Sequence, residues 1–249
     1  MRSLQTFSGL FLAALLVNPH FAGAEEAPPV RANLGFASRY VVRGLERAGA
    51  STQATFELSR DNLRGGFWAN VPFAGGVGRE VSLSAAYVWP TAAGMTVEAS
   101  MRTSWLDRKV VTGADSSLEF GLVATLAPVD GFTPGFSYYH DFRFQSDTAQ
   151  VSVARSIALT GFGAFLDLNL FGGLSSGSDW RPDAPGAGRH DSYSYWGAEA
   201  QVPYRFGPHS TLVAGLHYAD STGRSPTNGP FSLSDGQKFW VTLGVSLDF

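Results

Sequence analysis

The chain has 249 residues, 18 of them basic and 21 acidic, no cysteine, and a formal charge of −3. That excludes a disulfide framework and offers no basic stripe for a nucleic acid. Only 16% of residues are charged, against about a quarter in an ordinary soluble domain, and after residue 24 no apolar run reaches the about 20 residues that a membrane-spanning helix needs.

The first residues are MRSLQTFSGLFLAALLVNPHFAGAEE. Arg2, the apolar run Phe7 to Val17, and the small residues Ala22-Gly23-Ala24 follow the order of a Sec-type secretory signal. The expectation is a cleaved signal peptide over 1–24, a short periplasmic lead over 25–31, and one domain over 32–249. From residue 32 onward, apolar and polar residues alternate. Met95, Val97, Ala99, Met101, Thr103 and Trp105 make one face of a segment whose other face is Thr96, Glu98, Ser100, Arg102 and Ser104. Successive strand side chains point to opposite faces, so such a strand is greasy on one side and polar on the other.

The same test gives twelve strands, at 32–42, 52–60, 64–73, 80–89, 95–105, 116–126, 132–142, 149–158, 164–173, 193–202, 210–219 and 237–249. Short connections such as Asp61-Asn62-Leu63 and Leu159–Gly163 alternate with longer ones, the longest being Leu174–Ser192 and Asp220–Gly236. This is the pattern of periplasmic turns and extracellular loops in a closed antiparallel transmembrane β-barrel, all-β, with both termini periplasmic. A soluble β-sandwich also alternates. Against it stand the near absence of edge-strand devices, Pro134 excepted, and the aromatics Phe73, Trp89, Trp105, Phe132, Phe142, Tyr218, Phe239 and Phe249 near the ends of the apolar faces, where membrane girdles lie. Arg155, on an apolar face, fits poorly. The terminal aromatic Phe249 resembles the signal that such barrels present to the barrel-assembly machinery, which is therefore an expected partner, with outer-membrane lipid and lipopolysaccharide.

Ser38-Arg39-Tyr40 followed by Arg43-Gly44, an Ala/Gln-containing second strand, the segment Gly65-Gly66-Phe67-Trp68-Ala69-Asn70-Val71 and the C-terminal strand Lys238–Phe249 resemble the TorF-type porin family. The resemblance covers about the first fifth and the last strand. It implies a bacterial outer-membrane barrel with channel function and no agreed substrate. The OmpV/MipA-type barrel is a second resemblance.

Polar faces turned inward would line a lumen. The acids there are Glu57, Glu80, Glu98, Glu119, Asp141, Asp167, Glu199 and Asp248; the bases are Arg39, Arg43, Arg102 and Lys238, with Arg64 a further candidate. Pairing Gly44 near Thr52 sets Arg39 opposite Glu57, and pairing Ser104 with Ser117 sets Arg102 opposite Glu119. Opposed side chains sit about 5 Å apart, so these two pairs are expected to hold the wall in shape. Glu98, Asp167 and Glu199, without such partners, are the candidates for tuning permeation, and the acid excess favours cations weakly. Arg39, Arg43, Glu57, Glu98, Arg102, Glu119, Asp167, Glu199 and Lys238 form the expected pore lining. Gly121, Ala154, Gly197, Gly215 and Gly244 leave space in it, whereas Trp68, Tyr139, Phe165 and Trp240 take space away. Twelve strands lie between filled eight-stranded barrels and wide sixteen-stranded pores, so a narrow channel for small solutes or ions is the expected function.

A lipid-modifying hydrolase and a structural or adhesive barrel are the alternatives. A hydrolase needs a histidine within hydrogen-bond reach of a nucleophile. The nearest constellation is His217-Tyr218-Ala219-Asp220-Ser221, where alanine stands at the position of the His-x-Ser nucleophile of outer-membrane deacylases. His140-Asp141 cannot form a dyad, because neighbouring strand residues face opposite ways. No metal-ligand spacing occurs and no cofactor is expected.

Overall fold

The computed structural model describes residues 29–73, 79–91, 94–106, 116–142, 145–178, 190–223 and 236–249. The signal peptide expected over 1–24 lies outside them, as does most of the lead. The strands are β1 (Val30–Ala37), β2 (Tyr40–Val42), β3 (Leu45–Ala48), β4 (Ser51–Arg60), β5 (Leu63–Pro72), β6 (Glu80–Pro90), β7 (Thr96–Leu106), β8 (Ser116–Thr125), β9 (Thr133–Asp141), β10 (Ser146–Leu159), β11 (Ala164–Ser178), β12 (His190–Gly207), β13 (Ser210–Gly223) and β14 (Lys238–Asp248). Twelve of them, all but β2 and β3, form one closed antiparallel barrel. β1 closes it against β14, with Gly35 opposite Gly244. Closure leaves no sheet edge, the condition for strands to cross a bilayer without stranding backbone polar groups.

The two faces of the wall are inverted relative to a soluble protein. Leu34, Phe56, Leu58, Leu83, Leu170 and Leu243 face outward and are exposed, while Glu80, Asn70, Glu119, Asp141 and Lys238 face inward and are at most 2% exposed. An outer surface so apolar is stable only against lipid. Of the expected girdle, Phe73, Trp89, Trp105, Phe132, Phe142, Phe239 and Phe249 are all exposed on this outer surface.

Both ends of the described chain lie at the short-turn end of the barrel, where Val30 and Phe249 exchange backbone hydrogen bonds. At the opposite end β10 to β13 run longer than the alternation indicates, so parts of the expected loops Leu174–Ser192 and Asp220–Gly236 are strand, with Ser175 paired to Tyr193 and Ser194 to Thr222. Strand that has passed beyond hydrocarbon needs no apolar face, so Ser-rich sequence can carry the ladder without alternating.

The first expected strand needs a larger correction. Residues 32–42 are not one strand. β1 stops at Ala37, where Ser38 bonds Val241 of β14 through its backbone N–H (2.9 Å) and its hydroxyl (3.0 Å). The chain then forms the separate β2–β3 hairpin before rejoining the wall at β4. Its two-residue turn is Arg43-Gly44, with φ of 49° and 75°. Positive φ at both central residues is the requirement of the tight turn that matches strand twist.

Candidate functional site: a hairpin seated in the lumen

The hairpin packs inside the barrel. Tyr40, Val41, Val42, Leu45 and Ala48 are each at most 5% exposed. Three apolar clusters account for this burial, and each joins the hairpin to a different part of the wall. Tyr40, Val42 and Ala48 meet Trp68 of β5; Leu45 meets Phe171 of β11 and Tyr193 and Tyr195 of β12; Val41 meets Ala219 of β13 and Trp240 of β14. Tyr40 lies 5.5 Å from Trp68, ring to ring.

Polar contacts cover the remaining side. At the hairpin tip, Arg43 Nη2 donates to Glu119 Oε2 of β8 (2.7 Å), Nη1 to Thr148 Oγ1 of β10 (3.4 Å), and the guanidinium sits 4.5 Å over the ring of Tyr139 of β9. Tyr40 Oη donates to Glu80 Oε2 of β6 (3.2 Å). Burial by itself would lower the pKa of Arg43; the Glu119 carboxylate more than offsets it and holds the guanidinium above its ordinary range. Arg47, also on the hairpin, is lowered by burial to about 10, against the opposing pull of Tyr193, Tyr40 and Glu80. Both therefore stay charged at neutral pH. Gly44 permits the close approach, because a Cβ there would stand 2.6 Å from Tyr195 Cβ and 3.2 Å from Ser221 Cβ.

Below the hairpin, toward the short turns, the lumen carries another set of groups. Arg64 Nη1 pairs with Glu98 Oε2 (3.2 Å), Ser156 donates to Asp167 (2.6 Å), and Arg31 Nε pairs with Asp248 Oδ1 (2.7 Å). Glu199 receives Asn169 Nδ2 (3.2 Å) and faces His217 Nδ1 (3.3 Å), while His217 Nε2 lies 2.9 Å from Thr242 Oγ1. Glu98, Asp167 and Glu199 thus all have partners, contrary to the sequence expectation: Asp167 and Glu199 are met from adjacent strands, and Glu98 from β5, across the intervening β6.

The other expected lining residues divide. Arg102 faces Glu119 in register as expected, and Arg43 of the hairpin reaches the same carboxylate. Lys238 is 2% exposed and donates to Gly236 O and Ser221 Oγ. Arg39 does not face Glu57. The register places Arg31 opposite Glu57, and Arg39, largely exposed on the hairpin, pairs with Glu46 (3.3 Å). The error follows from reading β1 as continuous through residue 42. The expected room beside Gly197 and Gly215 is also taken: Cβ atoms there would collide with Phe171 and with Thr242 and His217. Sequence reasoning missed Leu45, Arg47, Phe171, Tyr193 and Tyr195. The available signal was the unbroken apolar run Tyr40-Val41-Val42 against Arg43-Gly44, since burial on both faces erases alternation.

Neither His217 nor His140 assembles a triad among the described residues. His217 and Ser221 share one face of β13, about 13 Å apart by strand rise, and both ring nitrogens of His217 are engaged. His140 does meet an aspartate on the outer face, Asp147 of β10 (His140 Nδ1 to Asp147 Oδ1, 2.9 Å), an atom that also accepts from Tyr138 Oη. Among the described residues, no group of three or more His, Asp or Glu side chains could hold a metal.

A lipid-facing wall closed around a charged lumen is the fold of a transmembrane β-barrel. Solved structures that share it include the two that follow. An outer-membrane channel from Pseudomonas putida F1 superposes with a TM-score of 0.54 at 11% identity, over 94% of this chain and all of that one. The NanC porin does so with a TM-score of 0.53 at 11% identity, over 88% of this chain and all of that one. No protein-family model and no curated protein matches the chain.

Proposed function

We propose that the protein is a narrow outer-membrane channel through which small solutes or ions diffuse passively, its bore set by the β2–β3 hairpin. The observation that carries this reading is the pairing of a lipid-facing exterior with a charged interior narrowed by one hairpin anchored on strands all around the wall. Both similar structures are named as a channel or a porin, in keeping with passage rather than chemistry. On this reading the short turns and both termini face the periplasm, the 1–24 segment directs Sec export, and the strand ending at Phe249 engages the assembly machinery. The finer assignment, to the TorF-type porins, rests on Ser38-Arg39-Tyr40 with Arg43-Gly44, residues that form the hairpin and its entry.

The test is planar-bilayer recording of the purified protein. Discrete current steps smaller than those of sixteen-stranded porins are expected. A silent bilayer, with insertion verified by protection from protease, would overturn the channel reading.

A further inference from the structure

Arg155 is a feature of the outer wall that its apolar surroundings do not explain. It stands on the outward face of β10 between Val153 and Ile157, opposite Leu168 of β11, and is exposed. An arginine facing hydrocarbon is unfavourable unless it reaches the headgroup layer or meets an anion. The register supplies the depth. The β9–β10 ladder ends at Thr133–Ala154, so Arg155 lies one step beyond the last pair, beside Phe132. Phe132 belongs to the β8–β9 turn, where it exchanges backbone hydrogen bonds with Val129 around Asp130-Gly131. The Arg155 guanidinium lies 4.7 Å from the Phe132 ring centroid.

Arg155 is therefore at the level of the short turns, in a notch. On one side β9 has ended; on the other, β10 and β11 run on to Leu159 and Ala164 before their turn, whose Phe162 is 78% exposed. The ring fixes the guanidinium from one face by cation–π attraction and leaves its N–H groups free to donate. No described carboxylate forms an ion pair with it, Asp130 of the adjacent turn included.

We propose that Arg155, held on Phe132, binds the phosphate of an anionic phospholipid in the periplasmic leaflet. The inference rests on the membrane orientation given under the proposed function. The chemistry is that of a guanidinium toward phosphate oxygens, a geometrically matched set of charge-assisted hydrogen bonds, with acyl chains lying along the outward side chains of β9 to β11. Apolar neighbours exclude water, which strengthens the contact.

The test uses native mass spectrometry of the full barrel in detergent, titrated with dioleoylphosphatidylglycerol or with phosphate-free dioleoylglycerol. Wild type should retain one phosphatidylglycerol and no comparable diacylglycerol. Arg155→Gln should weaken that retention at least tenfold, Arg155→Lys less, and Arg79→Gln, at the loop end, not at all. Equal retention by wild type and Arg155→Gln would overturn the site while leaving the channel intact, as conductance of the same preparation would show. Loss of lipopolysaccharide rather than phosphatidylglycerol from Arg155→Gln would put the short turns in the outer leaflet and overturn the proposal as stated. Failure of the wild type to insert into phosphatidylglycerol vesicles would remove the membrane reading itself.

Discussion

The loop-end and turn-end halves of the lumen are built on opposite principles. In the loop-end half the hairpin and wall make a packed interior: Leu45 is 1% exposed among three aromatic rings, and the Arg43–Glu119 pair is sealed between strands. In the turn-end half, groups such as Glu57, Arg64, Asp167 and Asp248 keep partial contact with the lumen and bond to other side chains of the wall. The first half resembles the core of a globular domain, where close packing specifies a position. The second is a less closely covered lining whose side chains brace the wall. Bore is thus expected to depend on the first and ion preference on the second.

Removing the hairpin should have the largest effect. Replacing residues 39–49 by a short Gly-Ser linker leaves all twelve barrel ladders intact, since β2 and β3 pair only with each other. Single-channel conductance is expected to rise severalfold. Unchanged conductance would show that the narrow point lies elsewhere.

A buried charge left alone comes next. Glu119→Gln removes the carboxylate that Arg43 meets at 2.7 Å, and breaking a buried pair from one side costs about 3–5 kcal/mol. The hairpin lies outside the barrel ladders, so it is expected to undock locally before the wall unfolds. Faster amide exchange over residues 40–48, with little change in β12 to β14, is the expected record. The double variant Arg43→Gln/Glu119→Gln should recover part of the protection, because neither charge is then stranded. Additive losses would argue against a coupled pair.

Gly44→Ala probes the seat through shape alone. Its φ of 75° disfavours a side chain, and the new Cβ would meet Tyr195. About 1–3 kcal/mol against the docked hairpin is expected, seen as flickering conductance and partial protease sensitivity near Arg43. Steady wild-type current would mean that the turn adjusts without leaving Tyr195.

These effects also mark what was legible in the residues. Alternation located all twelve wall strands, because each has lipid on one side and water or polar groups on the other. It failed at Tyr40-Val41-Val42, a segment enclosed by protein on every side, and at Ser175-Ser176-Gly177, which lies beyond the apolar band. The Arg102–Glu119 register was legible from one hairpin connection. The approach of Arg43 to the same carboxylate was not, since it depends on the chain leaving the wall at a bend at Ser38 and on contacts with strands distant in sequence.

Neutralising the turn-end acids should produce the smallest change and the sharpest contrast. Among the described residues that half carries Glu57, Glu98, Asp167, Glu199 and Asp248 against Arg31, Arg64 and Arg205, whereas the loop-end half sets Glu46, Glu80, Glu119 and Asp141 against Arg39, Arg43, Arg47, Arg102 and Lys238. The triple variant Glu98→Gln/Asp167→Asn/Glu199→Gln should therefore lower the cation-to-anion permeability ratio on the order of twofold, because rings of fixed charge set which ion enters a pore. The three side chains touch wall residues rather than the hairpin, so conductance and exchange over residues 40–48 should stay near wild type. A shifted reversal potential with an undisturbed hairpin would separate selectivity from bore. If the potential holds while the hairpin loosens, the two halves are coupled, and the carboxylates act by bracing the wall that seats the hairpin.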